Sequence, residues 1–306
     1  MDLGVWIGNT TVGTGEYMVS VAKTAEDLGF DSVWLSDHVV WPEEYESPYP
    51  YGEGGKYPGD VNSPACEVIT AMAWVSANTS RVRVGTTVLV LPQREPWLLA
   101  KQIGSLDALN GGRTILGVGM GWLREEFDIL GAPFDDRAAR AAEMVKLMRA
   151  VWTEQPASFQ GEYWTSPPVG VLPHPVQQPV PVWVGGNTPA ARRRVADYGD
   201  GWAAYGLSPA EYAAGWKAIQ SRAAEQGRHP DELTAMLWTP MLLDPTAGVA
   251  PMVPLHGGTD MLIEQFAAYR EAGLDHFVMY NLAPPEAMGD QLAAIAEELL
   301  PAVHAL

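Results

Sequence analysis

The sequence predicts an α/β fold of one kind: a single (β/α)8 TIM barrel over residues 1–306, with insertion segments at its C-terminal rim. Three observations predict it. Eight apolar, β-branched runs emerge from Gly or turn signals, and each is followed by a segment with helical spacing. That alternation imposes parallel strands joined by right-handed crossovers. The length of 306 residues suits eight such units, since a barrel of this kind needs roughly 250 residues before insertions. Finally, Leu28-Gly29-Phe30-Asp31-Ser32-Val33 and Ala272-Gly273-Leu274-Asp275-His276-Phe277 repeat one phrase: helix end, Gly, apolar residue, Asp, strand.

In order, the expected strands are Leu3–Ile7, Ser32–Leu35, Val82–Leu89, Thr114–Val118, Pro181–Val184, Gly201–Tyr205, Thr234–Leu242 and His276–Tyr280. Between them, Tyr17-Met18-Val21-Ala22-Ala25-Leu28 and Met144-Val145-Leu147-Met148-Val151 place apolar side chains three and four apart, one face of a helix. The repeated Gly predicts a left-handed helix cap, with the next apolar residue packing back on the helix. Tyr198-Gly199-Asp200-Gly201-Trp202 is a looser version. An open doubly wound sheet would also alternate, but it needs a phosphate loop near the N-terminus, and Gly8-Asn9-Thr10-Thr11 is a poor one.

Composition narrows the partners. With 47% hydrophobic and 18% charged residues, the chain can bury a large core. A net charge of −18 argues against nucleic acid and anionic membranes as partners. No apolar run is long enough to span a bilayer, and the first residues lack a secretory signal pattern. The single cysteine, Cys66, predicts no internal disulfide and suits a reducing cytoplasm; it is expected at the start of a helix over Ala65–Asn78, as a packing residue.

Three stretches exceed ordinary barrel connections: about 36–64, 119–136 and 158–179. Long ordered loops in compact domains usually carry function. The first is rich in Pro, Tyr and Gly, the composition of an irregular aromatic cover. The third holds Phe159-Gln160-Gly161-Glu162-Tyr163-Trp164, which reads as a small hairpin.

Reactive groups of such barrels stand just beyond the C-terminal ends of the strands. After strand 2 comes Ser36-Asp37-His38, the acid–imidazole pair at a strand end. Its His38 can donate or accept a proton, while Asp37 orients it or binds a polar group. Strand 3 leads through Thr86-Thr87-Val88 to Pro92-Gln93-Arg94. Strand 4 ends in Gly117-Val118-Gly119-Met120-Gly121-Trp122, whose third glycine comes too early for a dinucleotide fingerprint. Strand 5 ends in Gly185-Gly186-Asn187-Thr188-Pro189. Two glycines free the backbone, Asn187 or Thr188 can cap, and Pro189 suits a first helical turn, so amide donors converge on an anion site. Arg192, Arg193 and Arg194 follow on that helix, at least one of them facing solvent. The remaining histidines (174, 229, 256, 276, 304) show no metal-ligand spacing, and no G-x-S-x-G elbow occurs.

These motifs together resemble the bacterial luciferase-like family of flavin- and deazaflavin-dependent oxidoreductases. The matching pieces are Gly29–His38, Gly85–Val88 with Arg94-Glu95-Pro96, Leu109–Arg113, Gly117–Trp122 with Glu125-Glu126-Phe127, Val184-Gly185-Gly186 and Gly199-Asp200-Gly201-Trp202. The Ser-Asp-His ending of strand 2 resembles the branch that uses the deazaflavin coenzyme F420; many FMN-using members carry Glu-His-His there. By that resemblance Asp37 and His38 lie beside the deazaflavin ring, with His38 the proton carrier. Thr86, Thr87 and Val88 pass behind the ring, with Thr87–Val88 a non-prolyl cis peptide. Gly185, Gly186, Asn187 and Thr188 hold the cofactor phosphate, and Gly119, Met120, Gly121 and Trp122 line its side chain.

The function so implied is F420-dependent hydride transfer to or from a small apolar or planar organic substrate under the 36–64 loop, near Trp41. An FMN-dependent monooxygenase fed by a separate reductase is the alternative, and a non-catalytic flavin-binding barrel a third. The resemblance further implies a homodimer and, for F420 chemistry, an F420-reducing enzyme as supplier; the cysteine usage above predicts a cytoplasmic location.

Overall fold

The computed structural model describes residues 1–243, 255–281 and 283–306. Its strands are β1 (Asp2–Trp6), β2 (Ser32–Leu35), β3 (Arg83–Thr86), β4 (Leu89–Val90), β5 (Thr114–Gly119), β6 (Ala157–Gln160), β7 (Thr165–Val169), β8 (Val182–Gly185), β9 (Gly201–Tyr205), β10 (Thr234–Leu243), β11 (Leu255–Gly257) and β12 (His276–Asn281). Helices follow as α1 (Gly15–Leu28), α2 (Val68–Ala77), α3 (Pro96–Asn110), α4 (Arg124–Leu130), α5 (Arg137–Thr153), α6 (Pro189–Tyr198), α7 (Pro209–Glu225), α8 (Thr259–Glu271), α9 (Met288–Glu298) and α10 (Leu300–Ala305).

Eight parallel strands close on themselves in the order β1-β2-β3-β5-β8-β9-β10-β12, with β12 pairing β1 through Asp2↔His276 and Leu3↔Phe277. All eight expected strands are these eight. Cys66 precedes α2 instead of lying inside it, because the Glu67 carboxylate caps the helix one residue later; the thiol donates to the Gly13 carbonyl at 2.9 Å. The β6–β7 hairpin forms as expected, but beside α5 and off the rim. The amides of Glu162, Tyr163 and Trp164 donate to Glu143 of that helix, and the Arg140 guanidinium lies 4.3 Å over the Tyr163 ring. A segment that follows a helix and precedes a strand starts from the barrel floor, so the hairpin runs up the outer flank. No helix of the described residues is long and apolar enough to cross a membrane.

Gly29 caps α1 at φ 91° and Gly273 follows α8 at φ 94°, the left-handed backbone their shared phrase demands. Gly199 differs. Its φ is −75°, and a Cβ there would meet Val184 and Val195 at 3.0–3.1 Å, so space and not handedness requires glycine.

The interior of the barrel is packed with indoles. Trp6, Trp34, Trp183 and Trp238 join Ile115, Ala203, Met236 and Val278 around the axis, Trp34 and Trp183 stacking at 5.4 Å. Neighbouring strands yield the room: a Cβ on Gly85 would lie 2.5 Å from Trp34, and one on Gly4 2.3 Å from Ser32. At the floor, Trp34 Nε1 donates to Ser32 Oγ at 2.7 Å, and Ser32 Oγ meets His276 Nε2 at 2.8 Å, so the buried polar atoms are paired.

Helix α1 is tied to the α2–β3 turn by one carboxylate. Glu26 accepts from the amides of Ser80, Arg81 and Val82 and from the Ser80 hydroxyl. Burial alone would raise its pKa, but these donors outweigh burial and bring it down from 4.5 to about 2. A carboxyl with a depressed folded value stabilises above its unfolded value and ceases to do so as pH falls through the folded one. Glu26→Gln is therefore expected to lower unfolding free energy by about 1–3 kcal/mol at neutral pH. That difference should hold above pH 5 and shrink as pH falls from about 4 toward 2, as urea denaturation across pH reports. Gly85→Ala, which drives a methyl into Trp34, should cost about 1–3 kcal/mol. Gly289→Ala, with nothing within 4 Å on α9, should cost nothing by the same measurement.

Candidate active site

Ser36, the first residue beyond β2, joins three neighbouring strand ends. Its amide donates to Asn9 Oδ1 at 2.8 Å, its carbonyl accepts from Asn9 Nδ2 at 2.7 Å, and its hydroxyl accepts from Trp6 Nε1 at 2.9 Å. That hydroxyl also donates to the Thr87 carbonyl at 3.1 Å. The Thr87–Val88 peptide is cis, as the family resemblance implied. Val88 presses inward against two bare backbones: a Cβ on Gly119 or Gly185 would lie 2.4 or 2.7 Å from its methyls. Thr86 donates its hydroxyl to the Gly117 carbonyl at 2.7 Å, whereas the buried Thr87 Oγ1 has no partner among the described residues.

The Asp37–His38 pair splits. Asp37 is buried and directs both oxygens to Arg94, at 2.7 and 2.8 Å, while accepting the Val90 amide at 2.9 Å. Burial pushes its carboxyl up, against the pull of Arg94 and that amide. His38, 8% exposed, finds its carboxylate elsewhere: Nδ1 lies 3.3 Å from Glu126 Oε2 at the start of α4. Burial alone would raise the Glu126 carboxyl, but His38 and the Val39 amide hold it below its ordinary value.

Trp41 stacks on the His38 ring at 3.9 Å and on Tyr57 at 4.6 Å; its buried Nε1 has no partner among the described residues. From there an aromatic chain crosses the mouth of the barrel. Tyr57 meets Tyr49 at 4.9 Å, Tyr49 meets Trp122 at 5.1 Å and Tyr51 at 5.7 Å, and Tyr51 meets Tyr205 at 4.8 Å. Tyr205 continues to Trp238 at 4.3 Å. Burial raises the phenols of Tyr49, Tyr51, Tyr57 and Tyr205, so the wall is uncharged at neutral pH. The loop is held down by Glu125, which accepts from the amides of Glu46 and Ser47.

At the far end of that chain stands the strand-5 loop. Gly186 takes φ 111°, and the Tyr51 hydroxyl is 3.9 Å from where its Cβ would be. Asn187 does not present its side chain to a ligand: Nδ2 donates to the Tyr205 carbonyl at 2.6 Å, and Oδ1 accepts the Tyr205 amide at 3.1 Å. Thr188 caps α6 by accepting from the Ala191 amide. Arg192 bonds the Asn187 carbonyl, and Arg193 is exposed. The loop thus offers shape and the head of α6, not side-chain ligands. Gly121, at φ 75°, leaves room for Phe127 and Val90, and Met120 packs half-buried against the core beside Trp122.

His38, Trp41, Val88, Gly119, Trp122 and Gly185–Thr188 therefore meet at one mouth, while Asp37 faces Arg94. Sequence reasoning missed Glu126 in its pairing role, Asn9, and the tyrosines as a continuous wall. The Glu125-Glu126-Phe127 motif held the first, but nothing in its spacing says which strand end it reaches.

Arg94→Met leaves Asp37 buried without its counter-charge, so it should lower stability by about 3–5 kcal/mol. Adding Asp37→Asn should recover part of that loss in the same denaturation series. An Arg94→Met protein as stable as wild type would show that the pair holds nothing together.

The family model for luciferase-like monooxygenases matches residues 1–252. An uncharacterized protein of Mycobacterium tuberculosis is 38% identical over 195 residues, 64% of this chain and 67% of that protein. The F420-dependent glucose-6-phosphate dehydrogenase of Amycolatopsis mediterranei is 34% identical over 193 residues, 60% of this chain and 52% of that enzyme. Among solved structures, an F420-dependent secondary alcohol dehydrogenase in complex with an F420–acetone adduct matches with a TM-score of 0.81. At 20% identity over 99% of this chain and 98% of the other, that likeness is one of fold. Barrel, cis peptide and matched residues agree: the chain belongs to the luciferase-like monooxygenase family.

Proposed function

We propose that this protein is an F420-dependent oxidoreductase that moves a hydride between the deazaflavin and a small, flat or apolar organic molecule. The observation that carries the reading is the juxtaposition at one mouth of a glycine-walled bulge at Thr87–Val88, a buried imidazole and the head of α6. Those residues fit a tricyclic ring with a phosphorylated side chain. Gly119 and Gly185 make room for the Val88 side chain on which a ring can rest, Thr87 Oγ1, without a partner among the described residues, offers a hydrogen bond, and the α6 amides suit a phosphate. When bound, a deazaflavin carries hydride and reacts poorly with oxygen, because carbon replaces N5.

The chain's own residues do the rest. Gly186, Asn187 and Thr188 hold the anionic end, Val88 supports the ring, and Trp122 and Met120 line the side chain between them. His38 takes or gives the proton that accompanies hydride movement. Trp41, Tyr49 and Tyr57 cover the reacting face, exclude water and favour flat, uncharged substrates. Arg94 is committed to Asp37 and does not serve a substrate phosphate. The Ser36-Asp37-His38 ending and the F420-dependent relative favour F420 over FMN.

Fluorescence titration of the purified protein with F420 and with FMN tests this directly. F420 should bind more tightly; tight FMN with no deazaflavin affinity would establish the monooxygenase alternative, and affinity for neither would end both. With flat alcohols and enones as trial substrates, deazaflavin absorbance reports turnover. His38→Ala should keep cofactor affinity within about threefold while lowering kcat by about 10²–10⁴-fold. Unchanged turnover would remove His38 from the mechanism.

A further inference from the structure

The carboxylate that serves His38 is not its neighbour in sequence. Asp37 is turned to Arg94 and Val90. Glu126 takes the place beside the imidazole from 88 residues away, at the end of the next strand but one around the barrel. It is 1% exposed, and its two oxygens divide their duties. Oε1 accepts the Val39 amide at 2.7 Å and the Val40 amide at 3.3 Å, fixing the backbone as it leaves β2. Oε2 faces His38 Nδ1 at 3.3 Å.

The donors around it keep Glu126 ionised at neutral pH. An ionised carboxylate only accepts, so the hydrogen between the two groups belongs to Nδ1. The stacked Trp41 indole, 3.9 Å away and inclined by 31°, hinders the ring from turning over. Around the ring, Tyr57 at 5.4 Å and Trp122 at 6.3 Å contribute only neutral aromatic edges, and the nearby Asp37 charge is offset by Arg94.

We propose that Glu126 is a positioning residue that holds neutral His38 as its Nδ1–H tautomer, leaving Nε2, on the opposite side of the ring, as the one atom through which a proton is exchanged. One carboxylate thereby sets both the orientation of the imidazole and the path of the aromatic loop that covers it. The consequence for catalysis rests on the function proposed above; the tautomer does not.

Histidine side-chain ¹H–¹⁵N correlation spectra of the full chain, recorded without cofactor, test it. The His38 signals are identified by their loss in His38→Gln. Wild type should show a protonated Nδ1 and a lone-pair Nε2 in neutral His38. Glu126→Gln, whose amide can donate as well as accept, should give a mixture of tautomers, and Glu126→Asp should restore most of the Nδ1–H form. A wild-type His38 protonated at Nε2, or a Glu126→Gln protein with the wild-type tautomer, would overturn the proposal. The wild-type spectrum decides even where the variant does not fold. With F420, Glu126→Gln should retain cofactor affinity and lose about 10²-fold or more in kcat, as wrong-tautomer imidazoles do. Absence of cofactor binding with the Nδ1–H tautomer intact would defeat the functional reading and leave this assignment standing.

Discussion

The indole packing of the barrel interior is the constraint on which the rest of the molecule depends. Trp6, Trp34, Trp183 and Trp238 fill the axis, and Gly85 and Gly4 leave the room that Trp34 and its partner Ser32 take up. A core filled to this density excludes a ligand, so chemistry is displaced to the strand ends. The same packing aims the rim: Trp6 reaches Ser36, and Ser36 holds the Thr87 carbonyl. The strand order then sets His38, Val88, Gly119 and Gly185 side by side around the mouth.

Over that mouth the chain builds an uncharged aromatic wall despite its net charge of −18. The acids near the mouth are turned to internal tasks: Asp37 to Arg94, Glu125 to the loop backbone, Glu126 to His38. A buried carboxylate persists only with donors around it, and Asp37 and Glu126 have them. The arrangement leaves the imidazole, the Thr87 hydroxyl and the backbone amides at the head of α6 as polar groups of the mouth, set between aromatic rings.

Legibility in the sequence followed the range of each interaction. The eight strands, the hairpin at 157–169 and the caps at Gly29 and Gly273 were readable because hydrophobic period and turn chemistry are local signals. The positions of His38 and Gly185–Gly186 just beyond strand ends were readable because a strand end is a fixed address in a barrel. Pairing was not. Sequence placed Asp37 with His38, yet their partners lie 57 and 88 residues away, brought near only by closure of the sheet. Asn187 read as a cap or ligand, but the neighbouring β9 claims its whole amide through Tyr205. Gly199 read as a left-handed cap, whereas the Val184 and Val195 contacts dictate it.

One measurement bears most directly on the shared mouth: a crystal structure of the protein soaked with F420. The deazaflavin ring should lie over Val88 with its phosphate at the amides of Asn187 and Thr188 and the head of α6, and His38 Nε2 within hydrogen-bonding reach of the space above the ring. Density for the cofactor anywhere else, or a ring seated with His38 facing away from it, would contradict the assignment of this rim as a hydride-transfer site.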